Sequence, residues 1–266
     1  MRFFKYQGLG NDFVLLDRRE DPEEATADLA RRVCDRRLGV GADGLVVLLP
    51  PRRGGDVRMS FRNADGSTAE MCGNGIRCLA LHAWDADREK RQWVVETDSG
   101  LRRCVVFGSR GFEGVDAEMG PAAIDGGLDE EMDLEGARLR ITRVKTGNPH
   151  AVTFDPVAPD ARATLGPAIE THPLFPDRTN VEFVETRGPR HLVVTVWERG
   201  VGFTRACGTG ACAVAAAACH TGRAPFDTPI RVTLPGGDLE ITVPRDLTNL
   251  RMRGPAERVF EGEIPP

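Results

Sequence analysis

The chain has 266 residues, 41% hydrophobic and 28% charged, which is the composition of a globular protein with room for two domains. Its net charge of −5 and the lack of a basic block argue against a nucleic-acid or membrane partner. No apolar run approaches the roughly 18 residues of a spanning helix, and residues 1–6 lack the features of a signal peptide. We therefore expect a cytoplasmic protein.

Strands dominate the predicted secondary structure. Turn signals such as Gly54-Gly55 and Pro235-Gly236-Gly237 separate neighbouring runs, which favours antiparallel hairpins. The predicted strands are short β-branched or aromatic runs bounded by turn formers, at 1–6, 13–16, 45–49, 93–95, 104–107, 191–197, 230–234 and 239–243.

Three helices are predicted, at 21–39, 72–84 and 207–220. The first has Asp21 as its expected N-cap and Pro22 at its first position. The third consists almost entirely of Ala, Cys and Val, and a helix that is apolar all round belongs in an interior. The pattern predicts an α+β fold with mostly antiparallel sheet wrapped round central helices.

Two motifs, Cys72-Gly73-Asn74-Gly75 and Cys207-Gly208-Thr209-Gly210, are nearly identical and lie about half the chain length apart. Gly10-Asn11 and Gly147-Asn148 repeat at nearly the same interval. This spacing indicates an internal duplication with one cysteine in each half.

The duplication sets the predicted domains. Residues 1–115 and 116–252 form the two halves, with the boundary in the glycine-rich stretch 108–127, and residues 253–266 are expected to return to the first half. The stretch 156–176 is interpreted as linker-like.

A thiol at a helix N-terminus is stabilised as a thiolate, and the glycines after it let backbone N–H groups bind a carboxylate. Two such helix ends facing one cleft would hold an α-carboxylate and leave one sulfur on each face of the α-carbon. One thiolate could then remove the α-proton while the other thiol supplies a proton to the opposite face. This arrangement predicts a racemase or epimerase that uses no cofactor.

Other interpretations of the cysteines are less favoured. Either motif alone could be a buried helix start with glycines for packing. A structural zinc site is disfavoured because the pairs Cys72/Cys78 and Cys207/Cys212 lack its short spacing, so no metal is expected. A thiol–disulfide enzyme normally carries Cys-x-x-Cys, which is absent from the sequence.

At specific motifs the chain resembles the diaminopimelate epimerases, and the resemblance covers essentially its whole length. The matching segments are 5–13, 63–67, 71–75, 147–150, 179–183, 197–200, 206–210, 254–256 and 259–262.

The resemblance implies two similar domains with the active site in the cleft between them, a homodimer, and neither pyridoxal phosphate nor metal. It implies interconversion of LL- and meso-diaminopimelate, in lysine and peptidoglycan precursor biosynthesis, with Cys72 and Cys207 as the acid/base pair. The other implied site residues bind or orient the substrate: Gly73, Asn74, Gly208 and Thr209 at the reacting carboxylate, Asn11 and Glu198 at the reacting amino group with His150 in support, and Asn63, Asn148, Asn180 and Arg199 at the distal end.

Two positions depart from the family pattern. Some members carry glutamine where Gly44 stands, and many carry glutamate where Phe203 stands. A related racemase acting on proline, hydroxyproline or histidine is the alternative within the superfold, although it has no need for the distal residues. A non-catalytic amino-acid-binding protein is the alternative from another class.

Overall fold

The computed structural model describes residues 1–68, 72–108, 113–134 and 136–265. Met71 of the matching segment 71–75, and residues 109–112 of the predicted boundary stretch, lie outside the described residues. The chain divides into two compact units, one formed by 1–118 with 253–266 and the other by 119–252. No helix in the described ranges is long and apolar enough to cross a bilayer.

The elements follow one another in chain order. In the first half they are β1 (Arg2–Gly8), β2 (Asn11–Asp17), α1 (Ala27–Cys34), β3 (Gly44–Leu49), β4 (Val57–Asn63), α2 (Gly73–Ala86), β5 (Gln92–Thr97), β6 (Gly100–Phe107) and β7 (Gly114–Gly120). The remainder are β8 (Ala123–Ile124), β9 (Glu130–Leu134), β10 (Ala137–Lys145), β11 (Pro149–Thr153), α3 (Pro159–Glu170), β12 (Asn180–Gly188), β13 (His191–Glu198), β14 (Gly202–Phe203), α4 (Gly208–His220), β15 (Ile230–Leu234), β16 (Gly237–Thr242), β17 (Leu250–Pro255) and β18 (Glu257–Glu263).

The sheet of the first unit is mixed. β1 pairs antiparallel with both β18 and β2, and β2 then pairs parallel with β3. The pairs that follow are β3–β4 antiparallel, β4–β5 parallel, and β5–β6 and β6–β7 antiparallel. Helix α1 joins β2 to β3, and helix α2 joins β4 to β5. Both pairs of strands are parallel, and parallel neighbours need a crossover connection of this kind.

The second unit repeats this succession. β10 and β11 are antiparallel, β11 and β12 parallel, β12 and β13 antiparallel, β13 and β15 parallel, and β15 and β16 antiparallel. Helix α3 joins β11 to β12, and α4 lies between β13 and β15. The predicted α+β fold with two duplicated, largely antiparallel halves is therefore confirmed.

One helix in each unit is central. All residues of α2 from Gly73 to Trp84 are buried, and Ile76 and Leu79 pack in a core that includes Phe13. In α4 every residue from Gly208 to Cys219 is buried. Its small side chains let strands approach it on several sides, and β10, β11, β12, β13, β15 and β16 all pack against it. The sequence-based prediction of both central helices is confirmed.

The predicted beginning and end of the first helix were wrong. Helix α1 begins after Thr26, whose hydroxyl accepts a hydrogen bond from Leu29 N at 3.2 Å, and not after Asp21. Ala25 N is instead held by Ser60 Oγ at 3.2 Å, which ties the preceding segment to a strand. At the other end the Asp35 carboxylate accepts hydrogen bonds from the backbone two and three residues on, and this turn competes with further helix.

The stretch 156–176, interpreted as linker-like, contains helix α3. Pro159 stands at the helix start, where proline is tolerated because that N–H has no helical partner. Pro167 interrupts the helix interior and masked the helical pattern. Burial is confined to Gly166, Ile169 and Glu170 near its C-terminal end, so the apolar periodicity is weak.

Candidate functional site

Both motif cysteines are N-caps of the central helices. Cys72 has extended backbone dihedral angles before α2, and its sulfur accepts a hydrogen bond from Gly75 N at 3.3 Å. Cys207 has the same conformation before α4, and its sulfur accepts from Gly210 N at 3.3 Å. The backbone N–H groups of a first helical turn have no helical acceptor. Each thiol therefore stands beside an anion-binding helix end.

Asparagines organise the surroundings of Cys72. Asn74 is 3% exposed, and its Nδ2 donates to Asn11 Oδ1 at 3.1 Å. Asn11 Nδ2 donates in turn to Asp43 Oδ2 at 2.7 Å, and Arg36 holds the other oxygen of that carboxylate at 2.7 Å. Asn74 Oδ1 has no hydrogen-bond partner among the described residues. The structure thus brings two predicted site residues, Asn11 and Asn74, into one chain of hydrogen bonds.

Asn63, the last residue of β4, occupies a turn before the first motif. Its backbone N–H donates to Ser67 O at 3.0 Å and its Nδ2 to Ser67 Oγ at 2.9 Å. Gly66 supplies the positive φ of 86° that this turn requires. The turn fixes Asn63 at the end of β4. Glu198 occupies a similar place in the second unit, at the end of β13.

Cys207 is 7% exposed, and its environment opposes ionisation. Burial raises the pKa of the Cys207 thiol well above its ordinary value, and the carboxylates of Glu198 and Glu182 add to the rise. Hydrogen bonds from Thr209 and from Gly210 N–H act in the opposite direction, but they are outweighed. At this site desolvation therefore outweighs the stabilisation that the helix N-terminus gives a thiolate.

Polar side chains at the start of β12 and around the end of β13 are held by hydrogen bonds to the backbone and, for Glu198, to another side chain. Asn180 Nδ2 donates to Pro149 O at 3.1 Å, and its Oδ1 accepts from Arg199 N at 3.0 Å. The Arg199 guanidinium donates to Asp177 O at 2.8 Å. Glu198 Oε1 accepts from Thr204 Oγ1 at 2.5 Å. The strand ends thus fix the directions of the predicted residues Asn180, Glu198 and Arg199.

His150 is buried between two oxygens. Its Nδ1 lies 2.6 Å from Glu182 Oε1 and its Nε2 lies 3.0 Å from Asn148 Oδ1. The sequence-based analysis missed Glu182, which is fully buried in β12. Its signal was an acidic residue inside the apolar run Asn180 to Val184, where burial requires a partner.

The departure at Gly44 has a steric explanation. A β-carbon on Gly44 would lie 2.7 Å from Cε2 of Phe61 and 3.0 Å from the Arg62 carbonyl oxygen. The ring of Phe61 on the neighbouring strand therefore occupies the space that a longer side chain needs.

Replacing Gly44 by glutamine is expected to lower the free energy of unfolding by about 1–3 kcal/mol, because the longer side chain overpacks against Phe61. Urea unfolding measures the change. Gly188→Gln is the matched control, since a β-carbon there would meet nothing within 4 Å. An equal loss in both variants would contradict the steric explanation, and the loss should shrink in a Phe61→Ala background.

Phe203 is 47% exposed and stacks edge-on against Trp197, with ring centroids 5.0 Å apart. An aromatic contact therefore stands where the resemblance implies a carboxylate. In the described part of the chain, no group of three or more His, Cys, Asp or Glu side chains is arranged to hold a metal ion.

Comparison with known proteins agrees with the resemblance that these motifs suggested. The sequence profile described as diaminopimelate epimerase matches residues 3–124 and 142–259. The chain is 47% identical to the diaminopimelate epimerase of Desulforudis audaxviator, with 99% of each chain covered. It is 44% identical to that of Moorella thermoacetica, covering 100% of this chain and 99% of the other.

Solved structures of low sequence identity share the fold. A Bacillus anthracis phenazine biosynthesis protein of the PhzF family matches with a TM-score of 0.73 at 17% identity, covering 99% and 98% of the two chains. A hydroxyproline epimerase from Agrobacterium vitis matches with a TM-score of 0.73 at 16% identity, covering 99% and 90%. These matches support the two-unit α+β architecture.

Proposed function

Because the chain belongs to the diaminopimelate epimerase family, we propose that it interconverts LL- and meso-diaminopimelate with Cys72 and Cys207 as the two groups that exchange protons with the α-carbon. It is an amino-acid isomerase, and its reaction belongs to the biosynthesis of lysine and of peptidoglycan precursors. The observation that carries the mechanism is that each duplicated unit presents one cysteine as the N-cap of its central helix.

In the proposed reaction one cysteine acts as the base and the other as the acid. A thiolate removes the α-proton, and the opposite thiol delivers its proton to the other face, so the two sulfurs exchange roles at each turnover. The carbanion's charge spreads into the α-carboxylate, which the first-turn N–H groups after Cys72 and Cys207 stabilise through Gly73, Asn74, Gly208 and Thr209. No electron-accepting cofactor is needed in this scheme.

The remaining residues select the substrate. Asn11 and Glu198 are proposed to bind the reacting amino group, supported by His150. Asn63, Asn148, Asn180 and Arg199 are proposed to bind the distal amino-acid end. The planar guanidinium of Arg199 suits a bidentate contact with the distal carboxylate. Recognition of both ends would restrict the enzyme to a substrate with an amino acid at each end.

The test is incubation of the purified protein with LL-diaminopimelate in D2O without added cofactor. Loss of the α-proton signal and formation of the meso isomer are followed together by NMR and chiral chromatography. Exchange accompanied by meso product is the expected result. Exchange only with proline, hydroxyproline or histidine would contradict the substrate, and no exchange with any amino acid would indicate a binding protein.

We also propose that the protein is a cytoplasmic homodimer. Strand β18 carries Val259 and Phe260, which are 54% and 47% exposed, and an apolar pair of this kind suits a subunit contact. The reducing cytoplasm would keep the reacting thiols reduced. Sedimentation equilibrium should give a dimer that Phe260→Lys weakens, and a monomeric wild-type protein would contradict this assembly.

A further inference from the structure

Two neighbouring parallel strands begin side by side in the first unit. β2 begins at Asn11 and β3 begins at Gly44, with Phe13 and Gly44 in register. This register sets Asp43, the residue before β3, against Asp12, and Asp43 N donates to Asp12 O at 2.9 Å. The Asp43 carboxylate thereby lies beside Asn11, which is proposed to bind the reacting amino group.

The hydrogen bonds of Asp43 fix which end of the Asn11 amide faces it. An ionised carboxylate can only accept hydrogen bonds, and Asp43 Oδ2 already accepts one from Asp12 N at 3.1 Å. The Asn11 atom 2.7 Å from the same oxygen is therefore the donor Nδ2 and not the amide oxygen. The amide oxygen of Asn11 is consequently turned away from the carboxylate.

The orientation of Asn74, at the start of α2, follows from that of Asn11. Asn11 Oδ1 is an acceptor, so the Asn74 atom 3.1 Å from it is the donor Nδ2. Asn74 Oδ1 then has no hydrogen-bond partner among the described residues, although the side chain is buried. A buried acceptor needs a donor, and an amide oxygen has two lone pairs. Each of the two amides therefore has an oxygen that can accept a further hydrogen bond.

A network of charges holds Asp43 in place. Arg36 Nη2 lies 2.7 Å from Asp43 Oδ1 and 2.7 Å from Asp12 Oδ1. Lys5, which is buried in β1, lies 2.6 Å from the other oxygen of Asp12. Burial raises the pKa of the Asp12 carboxyl, but hydrogen bonds from Arg36 and Lys5 outweigh it and hold this pKa well below its ordinary value. The two cations keep Asp12 ionised, and Arg36 joins it to Asp43.

We propose that Asp43 is a positioning residue that turns the Asn11 and Asn74 amides so that their oxygens accept hydrogen bonds from the ammonium group at the reacting centre. An ammonium group can only donate, so a flipped amide would meet it with an NH2 group and repel it. This role rests on the proposed function, in which Asn11 binds the reacting amino group. It deepens that function, because the contact belongs to the amide oxygen and its orientation to a carboxylate that acts through Asn11.

The experiment compares Asp43→Ala with the matched control Asp56→Ala. Asp56 is also a partly exposed carboxylate of the first unit that accepts from a cation and a backbone N–H, Lys90 Nζ at 2.5 Å and Val94 N at 2.7 Å. Asp43→Ala should lower kcat/KM for LL-diaminopimelate by about 10- to 100-fold, whereas Asp56→Ala should keep it within about twofold of the wild type. Urea unfolding shows whether each variant is folded.

A double-mutant cycle with Asn11→Ala separates positioning from a general structural effect. Because Asp43 acts through the Asn11 amide, Asp43→Ala should cost little further activity in an Asn11→Ala background. Losses that multiply in the double variant would overturn the inference. If Asp43→Ala does not fold, Asp43→Asn serves in the same cycle, since its single oxygen cannot accept from both Arg36 and Asn11.

The orientation itself is measured without turnover, from the side-chain NH2 signals of Asn11 and Asn74 in ¹⁵N NMR spectra of the substrate-free protein. Both sets of signals should move in Asp43→Ala, because Asn11 loses its acceptor and Asn74 loses the fixed oxygen to which it donates. They should stay in place in Asp56→Ala. Unchanged signals in a folded Asp43 variant would overturn the inference, whereas failure of the two-thiol function would appear as absent epimerisation by the wild type.

Discussion

Cys72→Ala and Cys207→Ala are each expected to lower kcat/KM for diaminopimelate epimerisation by about 10³–10⁴-fold, since proton transfer on one face of the α-carbon then has no protein group. The loss should be in kcat more than in KM, because the carboxylate-binding N–H groups belong to the backbone of α2 and α4. The measurement is steady-state kinetics in both directions together with α-proton exchange in D2O.

Cys219→Ala is the matched control for these variants. Cys219 is also a buried cysteine of α4, at the opposite end of the helix, and its sulfur contacts Pro225 O at 3.4 Å. It should lose some stability through the small cavity but keep its activity. Near wild-type epimerisation in either Cys72→Ala or Cys207→Ala would refute the two-thiol mechanism, and equal loss in Cys219→Ala would indicate a general structural effect.

The strands and central helices were predictable because their signals are local. The runs at 45–49 and 191–197 are continuous or alternating apolar segments, and they form β3 and β13. The alanine-rich run after Cys207 could only be buried, and the Cys-Gly pattern marked the N-caps of α2 and α4. The prediction began the two helices at Cys72 and Cys207, one residue before α2 and α4 begin.

Features that depend on partners distant in sequence were not predictable in this way. Glu182 lies 32 positions from His150, and only the folded sheet brings their side chains together. The start of α1 depended on Ser60, a strand residue that holds Ala25. The pKa of Cys207 likewise depends on distant residues, since the helix end is local but the burial and the carboxylates of Glu198 and Glu182 that raise this pKa come from the folded sheet.

Gly210→Ala is expected to lower kcat by about 100-fold or more, because the added methyl group cannot fit without moving the thiol or the carboxylate beside it. Its carbon would lie 2.8 Å from Glu182 Oε1 and 3.2 Å from Cys207 Sγ. A displacement of about 1 Å in a reacting group is enough for a loss of this size. Helix propensity alone favours alanine over glycine, so the isolated helix would gain stability from the change.

Gly188→Ala separates this close contact from the general effect of adding a methyl group, since nothing lies within 4 Å of a β-carbon there. It should keep both activity and stability. Full activity of Gly210→Ala would show that the start of α4 tolerates movement. That result would contradict the prediction, which requires the thiol of Cys207 and the carboxylate-binding helix end to stay fixed.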